Sequence, residues 1–141
     1  SVYELNRIKN GADFVTPEGE VIPNHRLTRP SAPARKYAYC SDTIYRPEIV
    51  DQIKGVDLLF HEATFAQTEQ ARAKETHHTT AAQAAQMALN AEVKQLVIGH
   101  FSARYEDETV LLNEAAAIFP QTILARENMC IELEGGAVHE K

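Results

Sequence analysis

The chain has 141 residues, with 14 basic side chains against 20 acidic ones and a formal net charge of −6. That is enough for one domain with a modest core, and the balance gives no general attraction to nucleic acid or to an anionic membrane surface. No run of about eighteen apolar residues and no charged-then-apolar leader is present, so neither a membrane span nor a signal peptide is read, and the cytoplasm is the expected location. A polyanionic substrate would have to be drawn by metal ions or by a basic part outside the sequence. The first residue is Ser rather than Met, which reads as a processed or truncated piece. Cys40 and Cys130 sit in apolar, strand-like contexts and read as buried free thiols.

Residues 1–35 read as loops around a hairpin: a strand over Ala12 to Thr16, turn chemistry in Pro17-Glu18-Gly19-Glu20, and Val21-Ile22 pairing back. The proline-bearing stretch from Asn24 to Arg35 reads as an irregular surface crossing, with His25 an exposed side chain. Lys36 to Ser41 is then a strand that delivers Asp42 at its end. Arg46-Pro47 opens a helix that Gly55 closes. Val56 to Phe60 is a continuous apolar run, as in a covered strand, with His61-Glu62 directly after it.

A partly helical connection over Phe65 to Thr76 leads to Thr80-Ala81-Ala82-Gln83, a capping box that starts an alanine-rich helix running to Asn90. Gln95 to Gly99 is the next buried strand and ends at His100. Asp107 to Phe119 is an amphipathic helix stopped by Pro120. Thr122 to Ala125 and Met129 to Leu133 are the last strands, and 134–141 is expected to fray. Alternation of this kind predicts an α/β layer with a largely parallel core.

Three of these strands end on residues able to do chemistry, and ligands of open α/β sheets bind outside the carboxyl ends of strands. Asp42 is either a turn former or a carboxylate ligand. His100 is either a structural histidine or an imidazole ligand, and together the two form a pair suited to zinc and similar divalent ions. His78 stands just before a helix N-terminus, where its ring can pass a proton to a leaving oxygen. Glu62 is either a loop carboxylate or the group that orients that ring. Arg104 can grip a phosphate with a forked pair of hydrogen bonds or pair with Asp107 at the surface. No Gly-rich phosphate loop and no CxxC is present. The residues alone support a half-site for metal-assisted chemistry.

Four stretches resemble one family. Ser41-Asp42-Thr43, Leu58-Leu59-Phe60-His61-Glu62-Ala63-Thr64-Phe65, His78-Thr79-Thr80-Ala81-Ala82-Gln83 and Val97-Ile98-Gly99-His100-Phe101-Ser102-Ala103-Arg104-Tyr105 are similar, in order and spacing, to the C-terminal half of ribonuclease Z, the tRNA 3′-processing endoribonuclease of the metallo-β-lactamase superfamily. The likeness covers about residues 10 to 133. Ser41 stands where that family usually has Gly. The resemblance implies an α/β fold, the C-terminal half of an αββα sandwich with one mixed sheet and helices on its outer face, over 1–141 as a single domain. It implies Asp42 and His100 as zinc ligands, His78 as the proton donor, Glu62 as its support, and Arg104 near the substrate phosphate.

The resemblance also implies precursor tRNA as the substrate of the full-length parent, two zinc ions there, and a missing N-terminal half that carries the HxHxDH metal cluster and the basic tRNA-gripping arm. The fragment alone is then expected to be inactive, with weak or no zinc binding, and to form a homodimer through an uncovered sheet face. Another phosphodiesterase of the superfamily, an arylsulfatase-like hydrolase, or a non-catalytic interaction module stands as the alternative.

Overall fold

A computed structural model describes residues 1–29, 33–134 and 137–140 of the chain. It separates into two compact units, Ser1–Ala34 and Arg35–Lys141, where the sequence reading treats 1–141 as one domain. The first unit opens with a helix, α1 (Val2–Lys9), in a region read from sequence as hairpin and loop. Its basis is a capping box. The Ser1 hydroxyl accepts from the Glu4 N–H, and the Glu4 carboxylate accepts from the terminal ammonium. None of its residues is buried, so an apolar period is not what marks it. Strands β1 (Phe14–Val15) and β2 (Val21–Ile22) form the expected antiparallel hairpin, and a short helix, α2 (Asn24–Leu27), follows.

The second unit is built on a four-stranded sheet of β3 (Tyr37–Cys40), β4 (Leu58–Glu62), β5 (Gln95–Gly99) and β6 (Thr122–Leu124), ordered β3-β4-β5-β6. All three pairings are parallel, so this sheet is not the mixed one expected. The antiparallel pairing falls in a separate hairpin of β7 (Ile131–Glu134) and β8 (Ala137–Glu140). The stretch expected to fray thus carries strand pairing over 137–140, while 135, 136 and 141 lie outside the described residues. A parallel pair needs a crossover, and each crossover carries helix. They are a 3-10 segment at Pro47–Ile53, then α3 (Gln70–Glu75) with α4 (Ala81–Asn90), then α5 (Thr109–Ile118). The first was expected as an α-helix. Ile49, Val50 and Ile53 within seven residues are β-branched and disfavour regular helix.

The core forms where α4 and α5 cover one sheet face. Leu59, Leu96, Ile98 and Leu124 of the sheet pack there with Met87, Leu111 and five alanines of the two helices. Ala81, Ala84, Ala85 and Ala88 are fully buried, and their small volume lets α4 lie close against the strands. Alternation puts Tyr37, Tyr39, Leu58, Phe60 and Val97 on the opposite face. There the Tyr39 and Phe60 rings stack with centroids 4.8 Å apart, and both tyrosines are exposed. Phe60 also explains Gly99, because a Cβ on Gly99 would sit 2.8 Å from the ring. Cys40 is buried as expected, but Cys130 is exposed, since it lies before β7 rather than within a strand.

Leu59 has no exposed surface, and Leu59→Ala should cost about 2–5 kcal/mol in urea unfolding. His61, at the buried end of β4, adds a pH dependence. Its Nδ1 lies 2.8 Å from the Glu62 carbonyl; a carbonyl only accepts, so Nδ1 carries the proton. Burial holds the ring's pKa below its usual 6.5. A ring kept neutral in the fold but protonated once released favours the unfolded chain in acid. Stability should therefore be free of this penalty above about pH 6.5 and decline as the pH drops below it. The urea midpoint of the native chain should fall across that window, and that of His61→Gln should fall less. Equal slopes for the two proteins would count against the assignment.

Candidate metal and proton-transfer site

Four side chains meet at the carboxyl ends of the sheet. Asp42 follows β3, Glu62 closes β4, His78 lies in the turn before α4, and His100 comes directly after β5. One potential ligand atom from each lies within 4.8 Å of the others. Parallel pairing makes the convergence possible, because all the strand ends face one way. The backbone ties the ends together: Ala63 N–H donates to the Gly99 carbonyl, Thr64 N–H to that of Thr79, and Ser102 N–H to that of Thr64. Thr80 caps α4 in the expected box with Gln83, which fixes the turn carrying His78.

The four residues are not equivalent. Glu62 is completely buried, and its carboxylate accepts from four donors. The Thr43 N–H donates to Oε1. The Thr64 hydroxyl at 2.7 Å and the Thr79 N–H at 3.0 Å donate to Oε2. His78 Nδ1 lies 3.1 to 3.2 Å from both oxygens. An ionised carboxylate offers about four lone-pair sites, so Glu62 has none left for a metal ion. It anchors the group. Its acceptor-only character also puts a proton on His78 Nδ1 and leaves Nε2 as the ring's working nitrogen.

Asp42 and His100 remain. The Asp42 side chain is 72% exposed, and Oδ1 lies 3.2 Å from His78 Nδ1. The His100 ring sits 5.3 Å from that of His78, centroid to centroid. A carboxylate oxygen and an imidazole nitrogen suit zinc and comparable divalent ions, so these two could contribute to holding a metal. His78 also lines a cavity of about 260 Å³ with Ile44, Tyr45, Gln70, Lys74 and Gln83. This is open room beside a histidine whose other side is fixed.

Arg104 lies outside the cluster. Its guanidinium pairs with Glu69 at 3.0 Å and lies over the Phe65 ring at 5.1 Å. Phe65 in turn meets His78 edge-on at 6.1 Å. Asp107, weighed from sequence as its surface partner, instead accepts from the Thr109 N–H. Sequence reasoning passed over the threonines. Thr43, Thr64 and Thr79 each lie within two positions of a site residue and each donate to Glu62. Only Thr64 donates through its hydroxyl; Thr43 and Thr79 donate through backbone N–H groups, which side-chain type does not signal.

No family model matches the chain. It is 94% identical over 132 residues to a curated ribonuclease Z of Bacteroides thetaiotaomicron; the match takes in 94% of this chain and 42% of that protein. Among solved structures, the metallo-β-lactamase fold protein YhfI from Bacillus subtilis aligns with a TM-score of 0.56 at 21% identity, over 61% of this chain and 35% of the other. A long form RNase Z from yeast aligns with a TM-score of 0.52 at 26% identity, over 62% of this chain and 12% of that one. The chain spans less than half the length of the curated relatives it matches. Over the part it spans, it is a close match to ribonuclease Z, built on a metallo-β-lactamase fold.

Proposed function

We propose that the chain is the C-terminal part of a zinc-dependent endoribonuclease that removes the 3′ trailer from precursor tRNA by phosphodiester hydrolysis. The observation that carries the reading is the saturated Glu62 carboxylate. It holds His78 through Nδ1 and leaves Nε2 as the ring's other nitrogen, with Asp42 and His100 beside it. The curated relative at 94% identity bears the name ribonuclease Z, and this geometry fits hydrolysis of a phosphodiester.

In this reading Asp42 and His100 each contribute one ligand to the metal centre, and the remaining ligands belong to the N-terminal part of the parent. Bound zinc supplies Lewis-acid stabilisation of the charge that develops on the phosphate. As the imidazolium, His78 delivers a proton from Nε2 to the leaving 3′ oxygen, while Nδ1 stays held between Glu62 and Asp42. Arg104, resting on Phe65, contacts the phosphate by exchanging Glu69 for it.

Precursor tRNA and the N-terminal part are thus the expected partners, and the cytoplasm the expected setting. Among the described residues no helix is long and apolar enough to cross a membrane. Alone, the chain pairs with a second copy through the sheet face bearing Tyr37, Tyr39 and Phe60.

Two ligands do not complete a zinc site, so the isolated chain should not cleave precursor tRNA. Chelator-sensitive cleavage by the purified chain would sink that expectation. In the full-length parent, His78→Ala should lower turnover by roughly two to four orders of magnitude with little effect on tRNA binding. Asp42→Ala should lower zinc content as well as activity. Full zinc in the Asp42 variant together with a depleted His78 variant would reverse the two roles. Preference of the intact protein for a small phosphodiester over precursor tRNA would favour the phosphodiesterase alternative. Sedimentation at micromolar concentration checks the homodimer, and a clean monomer would remove it.

A further inference from the structure

Thr64 is almost fully buried, and its side-chain oxygen touches three groups at once. Glu62 Oε2 is 2.7 Å away, the His100 carbonyl 2.9 Å, and His100 Nδ1 3.1 Å. A hydroxyl has one hydrogen to give. Two of its three neighbours, the carboxylate and the carbonyl, can only accept. If the hydrogen pointed at Nδ1, two oxygens would press on the hydroxyl oxygen at 2.7 and 2.9 Å with no proton between them. When Thr64 donates to an oxygen and accepts from the ring, at most one of the three contacts lacks a hydrogen, against two in the alternative; the favoured arrangement puts the His100 proton on Nδ1.

We propose that Thr64 is a positioning residue that sets the tautomer of His100, holding its proton on Nδ1 so that Nε2 presents a bare lone pair to a divalent cation. This rests on the reading of His100 as a metal ligand and deepens it by naming the ligating atom and the residue that selects it. A histidine ring without partners favours the proton on Nε2, which would block that atom. The hydrogen bond at the second nitrogen decides which one is open. Donation from Thr64 to Glu62 links His100 to the same carboxylate that orients His78. One buried anion therefore sets both rings, one directly and one through a hydroxyl.

The backbone of Thr64 is engaged separately, donating to the Thr79 carbonyl and accepting from the Ser102 N–H. The hydroxyl can therefore be removed without cutting those ties. Thr64→Val keeps the shape of the side chain and both backbone hydrogen bonds but loses the hydroxyl; Thr64→Ser keeps the hydroxyl. Ring ¹⁵N shifts of His100, measured on the chain without metal at a pH where the ring is neutral, report the tautomer directly.

The native chain and Thr64→Ser should show a protonated Nδ1, and Thr64→Val should move toward a protonated Nε2. Titration of the full-length parent with zinc alone should give similar affinities for the native and Ser proteins and one about 10–100-fold weaker for Val. A native His100 with its proton on Nε2 would overturn the proposal. So would a Val variant that keeps the native tautomer and binds zinc equally well. If Thr64→Val fails to fold, the native tautomer decides alone. If none of the three binds zinc while the native ring still carries its proton on Nδ1, the metal reading fails and the tautomer assignment stands.

Discussion

A carboxylate with no solvent exposure is the constraint on which the site depends. Burying an isolated ionised group costs several kcal/mol even after relaxation, and Glu62 is tolerable only because four donors meet it. Those donors come from the β3 end, the β4 extension and the turn before α4. The need to satisfy one charge therefore fixes the relative positions of three segments far apart in sequence. His78 gains its orientation as one member of that set. Losing any donor leaves a charge short of partners in a low-dielectric place, where the penalty is largest.

Much of this was legible in the sequence, for identifiable reasons. The apolar runs before Glu62 and His100 and the capping box at Thr80 are strong local signals, and the structure has β4, β5 and α4 within two residues of where they predict. The convergence of Asp42, Glu62, His78 and His100 follows from parallel strands ending on one side. Helix α1 was not legible as such: it has a cap but no buried face, and the reading relied on apolar period. The 3-10 form of Pro47–Ile53 escaped because proline at the start and glycine just after the end mark a helix without saying how tightly it winds.

The threonine network was the least legible part. Which hydroxyl reaches a carboxylate depends on tertiary distances of a few tenths of an ångström, and no spacing rule encodes that. The pairing of Arg104 was missed for the same reason. Asp107 is three residues away in sequence, yet Glu69, thirty-five residues away, holds the guanidinium, and Phe65 provides a face beneath it. Proximity along the chain is a weak guide where loops from different strands share one rim.

His100 shows how the fold spends strain at this rim. Its φ of +60° lies in the left-handed region, which for a residue with a side chain costs on the order of 1–3 kcal/mol. The preceding Gly99 lies against Phe60 and has no room for a side chain, and the chain leaves the strand directly after it. That turn makes His100 an exposed side chain, directly after four buried residues. The same geometry brings the His100 carbonyl and Nδ1 within reach of a single hydroxyl, that of Thr64. Aromatic packing against Gly99 on one face of the sheet and a buried threonine at its end thus act on the same residue. The contacts that meet this strained residue are the same ones that aim its ring, so backbone conformation and ring orientation at His100 are set by one group of neighbours.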